Sequence, residues 1–186
     1  MNMTRRDFWT EALKGGTLIG LITVAFSLLT QTAGERATLV EILGYASTII
    51  TILLLAGYLR RFARMHSRAE GFSYGRGVGF VVAMMLFVGV LSGVYSAVMT
   101  NFFIKEEILA SVDAAMAQYQ DMIPAENFEQ TYDLMRASVT NPLMMTISSV
   151  ISNALYGLVL GLLLAIPNRR QPDIFAPEEN KIEDAE

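Results

Sequence analysis

Charged residues leave four long stretches of the chain empty. No Asp, Glu, Lys or Arg occurs in residues 15–34, 42–59, 77–104 or 137–168, which are 20, 18, 28 and 32 residues long. A helix needs about 20 mainly apolar residues to cross the hydrocarbon core of a bilayer. The pattern therefore predicts an all-α polytopic membrane protein with four transmembrane helices, near residues 13–33, 39–60, 77–104 and 141–166.

The segment between the third and fourth predicted spans has a different pattern. Apolar residues recur at helical spacing on either side of Pro124, and acidic residues lie among them. The first stripe contains Ile108, Leu109, Val112, Met116, Tyr119 and Ile123, and the second contains Phe128, Tyr132, Met135 and Val139. We predict an extracytoplasmic helical hairpin over residues 105–140, whose stripes pack on each other or on the bilayer surface rather than forming a groove for a partner.

Residues with N-cap chemistry mark several predicted helix starts. Asn141 followed by Pro142 has the order of an N-cap and a first helical residue. Three pairs have capping-box spacing, namely Thr4 with Asp7, Thr38 with Glu41, and Ser67 with Glu70. Glu41 is the acidic residue that comes closest to a span interior, and we assign it a capping role in preference to ion binding.

Basic residues are distributed unequally about the predicted spans. Of the 14 Lys and Arg residues, only Arg36, Lys105 and Arg136 fall on one side of the membrane, and the other eleven fall on the opposite side. Basic loops remain in the cytoplasm. We therefore expect a multi-pass membrane protein with both termini cytoplasmic.

The net charge of −4 describes the C-terminal end more than the membrane body. Residues 173–186 carry six acidic residues and one lysine, and the rest of the chain carries 13 basic and 12 acidic residues. We predict a four-helix membrane domain over residues 1–170, followed by an acidic disordered cytoplasmic tail over residues 171–186.

The composition argues against an enzyme. The chain is 53% hydrophobic and 17% charged, with no Cys and a single His, which excludes disulfides and thiolate metal sites. The charge-free stretches hold several serines but no Asp, His or Lys that would activate one as a nucleophile. We expect no catalytic, cofactor or metal site and no nucleic-acid partner.

Small residues recur four apart in three of the predicted spans. Such ridges let helix backbones approach closely, which is a principal source of helix packing in lipid. The helix-packing candidates are Gly16, Gly20, Gly89, Gly93, Ala97, Asn153, Gly157 and Gly161, with Gly75 and Gly79 opening the third span. We favour packing within the chain over a homo-oligomer seam. Asn153 is interpreted as a packing residue able to hydrogen-bond across helices, in preference to a ligand contact.

A basic run follows the second span. Arg60, Arg64 and Arg68 share one helical face, and Arg61 lies beside them. They are candidates for contact with anionic lipid headgroups, but we favour the simpler interpretation that they only set the orientation of the protein in the membrane. His66 lies within this run and is interpreted as a lone surface histidine, which is weak support for pH sensing.

A family resemblance adds to this interpretation. Gly71-Phe72-Ser73-Tyr74-Gly75-Arg76-Gly77 enters the third span, Tyr95 lies late in it, and an acidic helical segment precedes a last span that ends in Asn168-Arg169-Arg170. In these features the chain resembles the small four-span bacterial proteins of the domain of unknown function 4199 family. The resemblance implies a helical inner-membrane protein and supplies no activity or site residue.

Together these patterns favour a non-enzymatic accessory, assembly or interaction component of the membrane. Its expected partners are membrane lipids and either another membrane protein or further copies of the chain. The alternative is a small transporter, or a protein that binds lipid or another hydrophobic ligand, acting as an oligomer.

Overall fold

The computed structural model of the chain describes residues 5–34, 36–66, 71–119 and 124–171. Within these ranges the protein has six α-helices, a short 3-10 helix at Ile166–Asn168 and no strand. The α-helices are α1 (Arg5–Thr32), α2 (Ala37–Arg64), α3 (Tyr74–Phe102), α4 (Lys105–Tyr119), α5 (Ala125–Thr140) and α6 (Pro142–Leu164). Four of them, α1, α2, α3 and α6, are long and apolar enough to cross a membrane. The predicted all-α class with four membrane helices is confirmed.

Several predictions concern residues outside the described ranges. These are the cap at Thr4, the pair Ser67 with Glu70, the basic residue Arg68, the apolar residue Ile123 and the acidic tail beyond Gln171.

The start of α6 follows the local chemistry of its sequence. The side-chain carbonyl of Asn141 accepts hydrogen bonds from the backbone N–H groups of Leu143, at 2.9 Å, and Met144, at 3.3 Å. Pro142, which has no N–H to satisfy, occupies the first turn. The predicted N-cap at Asn141 is confirmed.

The predicted capping box at the start of α2 is wrong. The N-cap is Arg36, its side chain makes no capping hydrogen bond, and Thr38 lies inside the first turn. The carbonyl of Arg36 instead accepts the first helical bonds, from Leu39 at 2.9 Å and Val40 at 3.2 Å. Glu41 consequently lies beyond the first turn and is exposed, so it has no capping role.

The start of α3 has a cap that the sequence analysis did not identify. The hydroxyl of Ser73 accepts a hydrogen bond from the backbone N–H of Arg76 at 3.4 Å. Before it, Gly71 has a φ of 66°, a left-handed conformation that glycine adopts without steric cost. This glycine turns the chain into the cap.

Helix α3 is central in the bundle. Half of its most apolar 18-residue window is buried, a larger share than in any of the other three long helices. It packs against α6 along one side and α1 along another, whereas α2 joins the core mainly through Leu55, Leu59 and Phe62 in its C-terminal half. The remaining faces of the long helices expose large apolar side chains, as expected of surfaces that meet lipid.

Helices α4 and α5 contact each other through a polar group. The hydroxyl of Tyr132 on α5 donates to a carboxylate oxygen of Asp113 on α4 at 2.6 Å. This bond, with a smaller effect of burial, raises the pKa of the Tyr132 phenol, so the phenol remains a donor through neutral and mildly alkaline pH. The guanidinium of Arg136 lies 5.4 Å from the centre of the same ring.

Candidate functional site

We call the contact between α3 and α6 the seam. Its two backbones approach closely where α3 carries glycine. A Cβ atom built on Gly89 would lie 2.7 Å from the Cα of Val150, and one built on Gly93 would lie 2.8 Å from the Cα of Thr146. Carbon atoms that are not bonded normally stay about 3.5–4.0 Å apart. The seam therefore accepts only hydrogen at these two positions.

Towards the other end of the seam, the close approach occurs at glycines on α6. A Cβ on Gly157 would lie 2.7 Å from the Cβ of Met85, and one on Gly161 would lie 3.2 Å from the carbonyl oxygen of Val78. Residue numbers therefore rise along α6 as the numbers of the contacting residues on α3 fall, so the two helices run antiparallel. The four predicted packing glycines of α3 and α6 all lie in this contact within one chain.

Polar side chains within the seam bond to each other or to their own helix. The hydroxyl of Ser92 donates to the carbonyl of Val88 at 2.7 Å and lies 3.2 Å from the hydroxyl of Ser149 on α6. The side-chain amide of Asn153 donates to the carbonyl of Ser149, one turn earlier, at 2.9 Å. Contrary to the sequence-based expectation for Asn153, its described hydrogen bonds stay within α6, whereas the hydroxyls of Ser92 and Ser149 meet across the seam.

The glycines of α1 make a second close contact with α3. A Cβ on Gly16 would lie 2.5 Å from the carbonyl oxygen of Met84, and one on Gly20 would lie 2.7 Å from a side-chain carbon of Leu91. Ala97, the remaining helix-packing candidate of α3, is 6% exposed. The two helices that pack most extensively on α3, namely α1 and α6, therefore both approach it closely at glycine positions.

Gly75 and Gly79 do not share this role. A Cβ at either position would meet no atom within 4 Å. The close glycine at this end of α3 is Gly77, whose Cβ would lie 3.0 Å from that of Ala165. Spacing alone had selected the wrong face, because α6 passes on the side of Gly77.

Aromatic rings fill the end of the bundle where α1 and α3 begin and α2 and α6 end. Phe62 stacks on Phe80 with ring centres 3.9 Å apart, and the edge of Phe8 meets both rings at 5.7 Å. Phe72, from the turn before α3, meets Phe62 at 5.9 Å. Three helices and a turn are thereby joined through one set of rings, of which Phe62, Phe72 and Phe80 are buried and Phe8 is partly buried.

His66 belongs to this aromatic cluster. It is 7% exposed and lies between Phe62 and Phe72, at 4.9 and 5.1 Å between ring centres. Its Nδ1 is 3.0 Å from the carbonyl oxygen of Phe62, a contact that is a hydrogen bond when Nδ1 carries the proton. The expectation of a surface histidine was wrong, because the turn that carries Phe72 covers this side chain.

A pair of backbone hydrogen bonds holds that turn against the chain that follows α6. The N–H of Phe72 donates to the carbonyl of Arg170 at 2.9 Å, and the N–H of Arg170 donates back at 3.0 Å. The hydroxyl of Tyr74 also donates to the carbonyl of Leu162 at 2.8 Å. We call this part of the molecule the bridged end.

The arginines of α2 that were selected as lipid-contact candidates lie at the bridged end. Arg60, Arg61 and Arg64 are all exposed. Across the described part of the chain the one ion pair joins Lys14 to Glu11, at 2.8 Å. The guanidinium groups are therefore not neutralised by described carboxylates.

The described residues contain no group of three His, Cys, Asp or Glu side chains that could hold a metal ion. In the same ranges, the hydroxyl of Tyr95 on α3 is a buried polar atom without a hydrogen-bond partner. The arrangement as a whole supports helix packing and surface contact, since its buried polar atoms mostly satisfy one another.

Comparison with protein families identifies a match over most of the chain. A family model described as "Protein of unknown function (DUF4199)" matches residues 14–170. Neither a curated protein nor a solved structure matches the chain. The matched residues include the seam, the Phe72–Arg170 pair and the aromatic cluster apart from Phe8.

Proposed function

Because the chain belongs to the DUF4199 family of proteins of unknown function, we propose that it is a non-enzymatic membrane component with an accessory, assembly or interaction role. The closed seam is the observation that carries this proposal. At Gly89 and Gly93 the two backbones leave no room for even a Cβ atom. A solute path along α3 and α6 would require the helices to separate, at the expense of these contacts.

A small transporter or hydrophobic-ligand-binding protein that acts as an oligomer is the second candidate. Two polar groups favour it. The hydroxyl of Tyr95 is buried without a described partner, and Glu41 is exposed near the start of an apolar helix. Polar groups within a membrane are costly and often functional.

Flux measurements separate the two candidates. Liposomes that contain the full-length protein are expected to retain protons and potassium ions as well as protein-free liposomes do, because the seam is closed. Dyes inside the liposomes report both ions, and an added ionophore provides the positive control. Protein isolated from its native membrane in mild detergent is expected to carry a membrane partner at a fixed molar ratio.

Ion uptake above the protein-free level would replace the proposal by the transporter alternative. Tyr95→Phe is the matched variant for that outcome, since it removes only the unpartnered hydroxyl. If ion uptake occurs with the wild-type protein and disappears in Tyr95→Phe, the ion path passes close to Tyr95.

We further propose that the bridged end faces the cytoplasm of a bacterial cell, with the protein in the inner membrane. Among the described residues, nine Lys and Arg residues lie towards this end and three lie towards the other. Basic segments are retained on the cytoplasmic side during insertion. Helices α4 and α5 then lie outside the cytoplasm.

Cysteine labelling tests this orientation. The chain has no Cys, so a single introduced thiol reports one position. Met65→Cys and Glu129→Cys are suitable because both residues are exposed and neither change removes a basic residue, whereas His66 is buried. An impermeant maleimide applied to intact cells is expected to label position 129 only, and lysis is expected to expose position 65. Labelling of position 65 alone in intact cells would reverse the orientation.

A further inference from the structure

Arginines at the bridged end lie at the borders of the charge-free stretches. Arg60 directly follows the stretch 42–59, Arg76 directly precedes 77–104, and Arg169 directly follows 137–168. In a bilayer the ends of such stretches lie at the level of the lipid headgroups, and long basic side chains reach into that layer. The phosphate groups of phospholipids occupy the same depth.

The fold brings arginines from three separate elements to this level. The backbone pair between Phe72 and Arg170 holds the chain that follows α6 beside the turn that leads to Arg76. The rings of Phe72 and Phe62 are in contact, and Arg61 and Arg64 lie within one helical turn of Phe62. The 3-10 helix that precedes Arg169 also contacts α2. Arg60, Arg61, Arg64, Arg76, Arg169 and Arg170 form what we call the arginine collar.

Among the described residues, no carboxylate competes with an anion for the guanidinium groups of the collar. Its six arginines are exposed, and none forms an ion pair with a carboxylate in the described ranges. Arg136, at the other end of the molecule, instead has a partner, since its guanidinium lies over the ring of Tyr132 and donates to its hydroxyl at 3.4 Å. A guanidinium presents several N–H donors in a planar fork that suits phosphate oxygens.

From this placement we propose that the arginine collar binds the phosphodiester headgroup of an anionic phospholipid. The ligand class is lipid rather than a free anion, because the collar borders apolar helix surface on which acyl chains can lie. The site extends the contact expected from the sequence on one face of α2, since the Phe72–Arg170 pair adds arginines from α3 and from the chain that follows α6. It goes beyond the proposed function, because such binding is compatible with an interaction component and with a transporter alike.

Native mass spectrometry of the full-length protein tests the proposal. The protein in neutral detergent is titrated with dioctanoyl phosphatidylglycerol, and separately with dioctanoyl phosphatidylcholine and with inorganic phosphate. We expect saturable binding of phosphatidylglycerol at least about tenfold tighter than binding of phosphatidylcholine, and no comparable binding of inorganic phosphate. A basic residue near an anionic lipid surface contributes roughly a fivefold change in affinity.

The decisive variant removes one charge from each element of the collar, Arg64→Gln, Arg76→Gln and Arg170→Gln together. The hydrogen bonds of Arg76 and Arg170 described above use backbone atoms, so glutamine retains them. We expect the affinity for phosphatidylglycerol to fall at least about tenfold, with an unchanged melting temperature in phosphatidylcholine. The matched control, Arg36→Gln with Arg136→Gln, removes basic residues from the opposite end and is expected to retain wild-type affinity.

Three results would overturn the proposal. These are equal affinity for the two lipids, equal binding of inorganic phosphate and phosphatidylglycerol, and an equal loss of affinity in the triple variant and the control. Should the triple variant fold poorly, the three single variants provide the same comparison, with a fall of roughly fivefold expected in each and no fall in Arg36→Gln.

Discussion

Leucine in place of Gly93 is expected to push α3 and α6 apart and to destabilise the protein by about 3 kcal/mol. The physical reason is the position of the backbone opposite. A Cβ atom would already lie 2.8 Å from the Cα of Thr146 and 3.2 Å from its carbonyl oxygen. A helix backbone cannot move aside as a flexible side chain can, so the whole contact must shift. Thermal unfolding of the purified protein in mild detergent measures the loss.

Two further variants show whether the effect belongs to the seam. Gly157→Leu is expected to lower the melting temperature as well, because its Cβ would lie 2.7 Å from that of Met85. Gly79→Leu is the matched control, since it lies on the same helix as Gly93 and its Cβ would meet no atom within 4 Å. Unchanged melting in both Gly93→Leu and Gly157→Leu would mean that these glycines face lipid.

The number and approximate positions of the membrane helices could be predicted from the sequence because they depend on local properties. A charge-free stretch of about 20 residues is long enough to span a bilayer wherever it occurs in the chain. The cap at Asn141 is local too, because its side chain bonds to amides two and three residues later.

The predicted cap at Thr38, which the structure does not contain, shows the limit of such local patterns. Its spacing to Glu41 satisfies a capping box, but α2 already begins at Ala37. Gly34 has a φ of 58°, and the N-cap of α2 falls at Arg36, two residues before the hydroxyl that the spacing selects. A motif of three or four residues does not determine where the preceding turn ends.

The bridged end could not be predicted because it is built from residues far apart in the chain. Burial of His66 requires Phe72 to fold back over α2, and Phe72 is in turn held by the backbone of Arg170. The same limit applies to the glycine ridges. Four-residue spacing identified Gly89 and Gly93 but also Gly75 and Gly79, and only the position of α6 separates the two pairs.

Ser92 and Ser149 provide a direct test of whether the seam joins helices of one chain. Their hydroxyl oxygens are 3.2 Å apart, and replacing each oxygen by sulfur requires only a small approach to reach the bond length of a disulfide, about 2.0 Å. Because the chain has no Cys, a Ser92→Cys, Ser149→Cys variant contains a single pair of thiols. Ser149 has a matched neighbour in Ser148, which is exposed.

Oxidation of the Ser92→Cys, Ser149→Cys variant in membranes, followed by trypsin cleavage between α3 and α6, is therefore the most direct measurement of the closed seam. Lys105 and Arg136 provide the cleavage sites. We expect a monomer whose two fragments stay joined until the disulfide is reduced, with no joining in the Ser92→Cys, Ser148→Cys control. A disulfide-linked dimer would place the seam between two copies of the chain, and separate fragments in both variants would contradict the packing of α3 on α6.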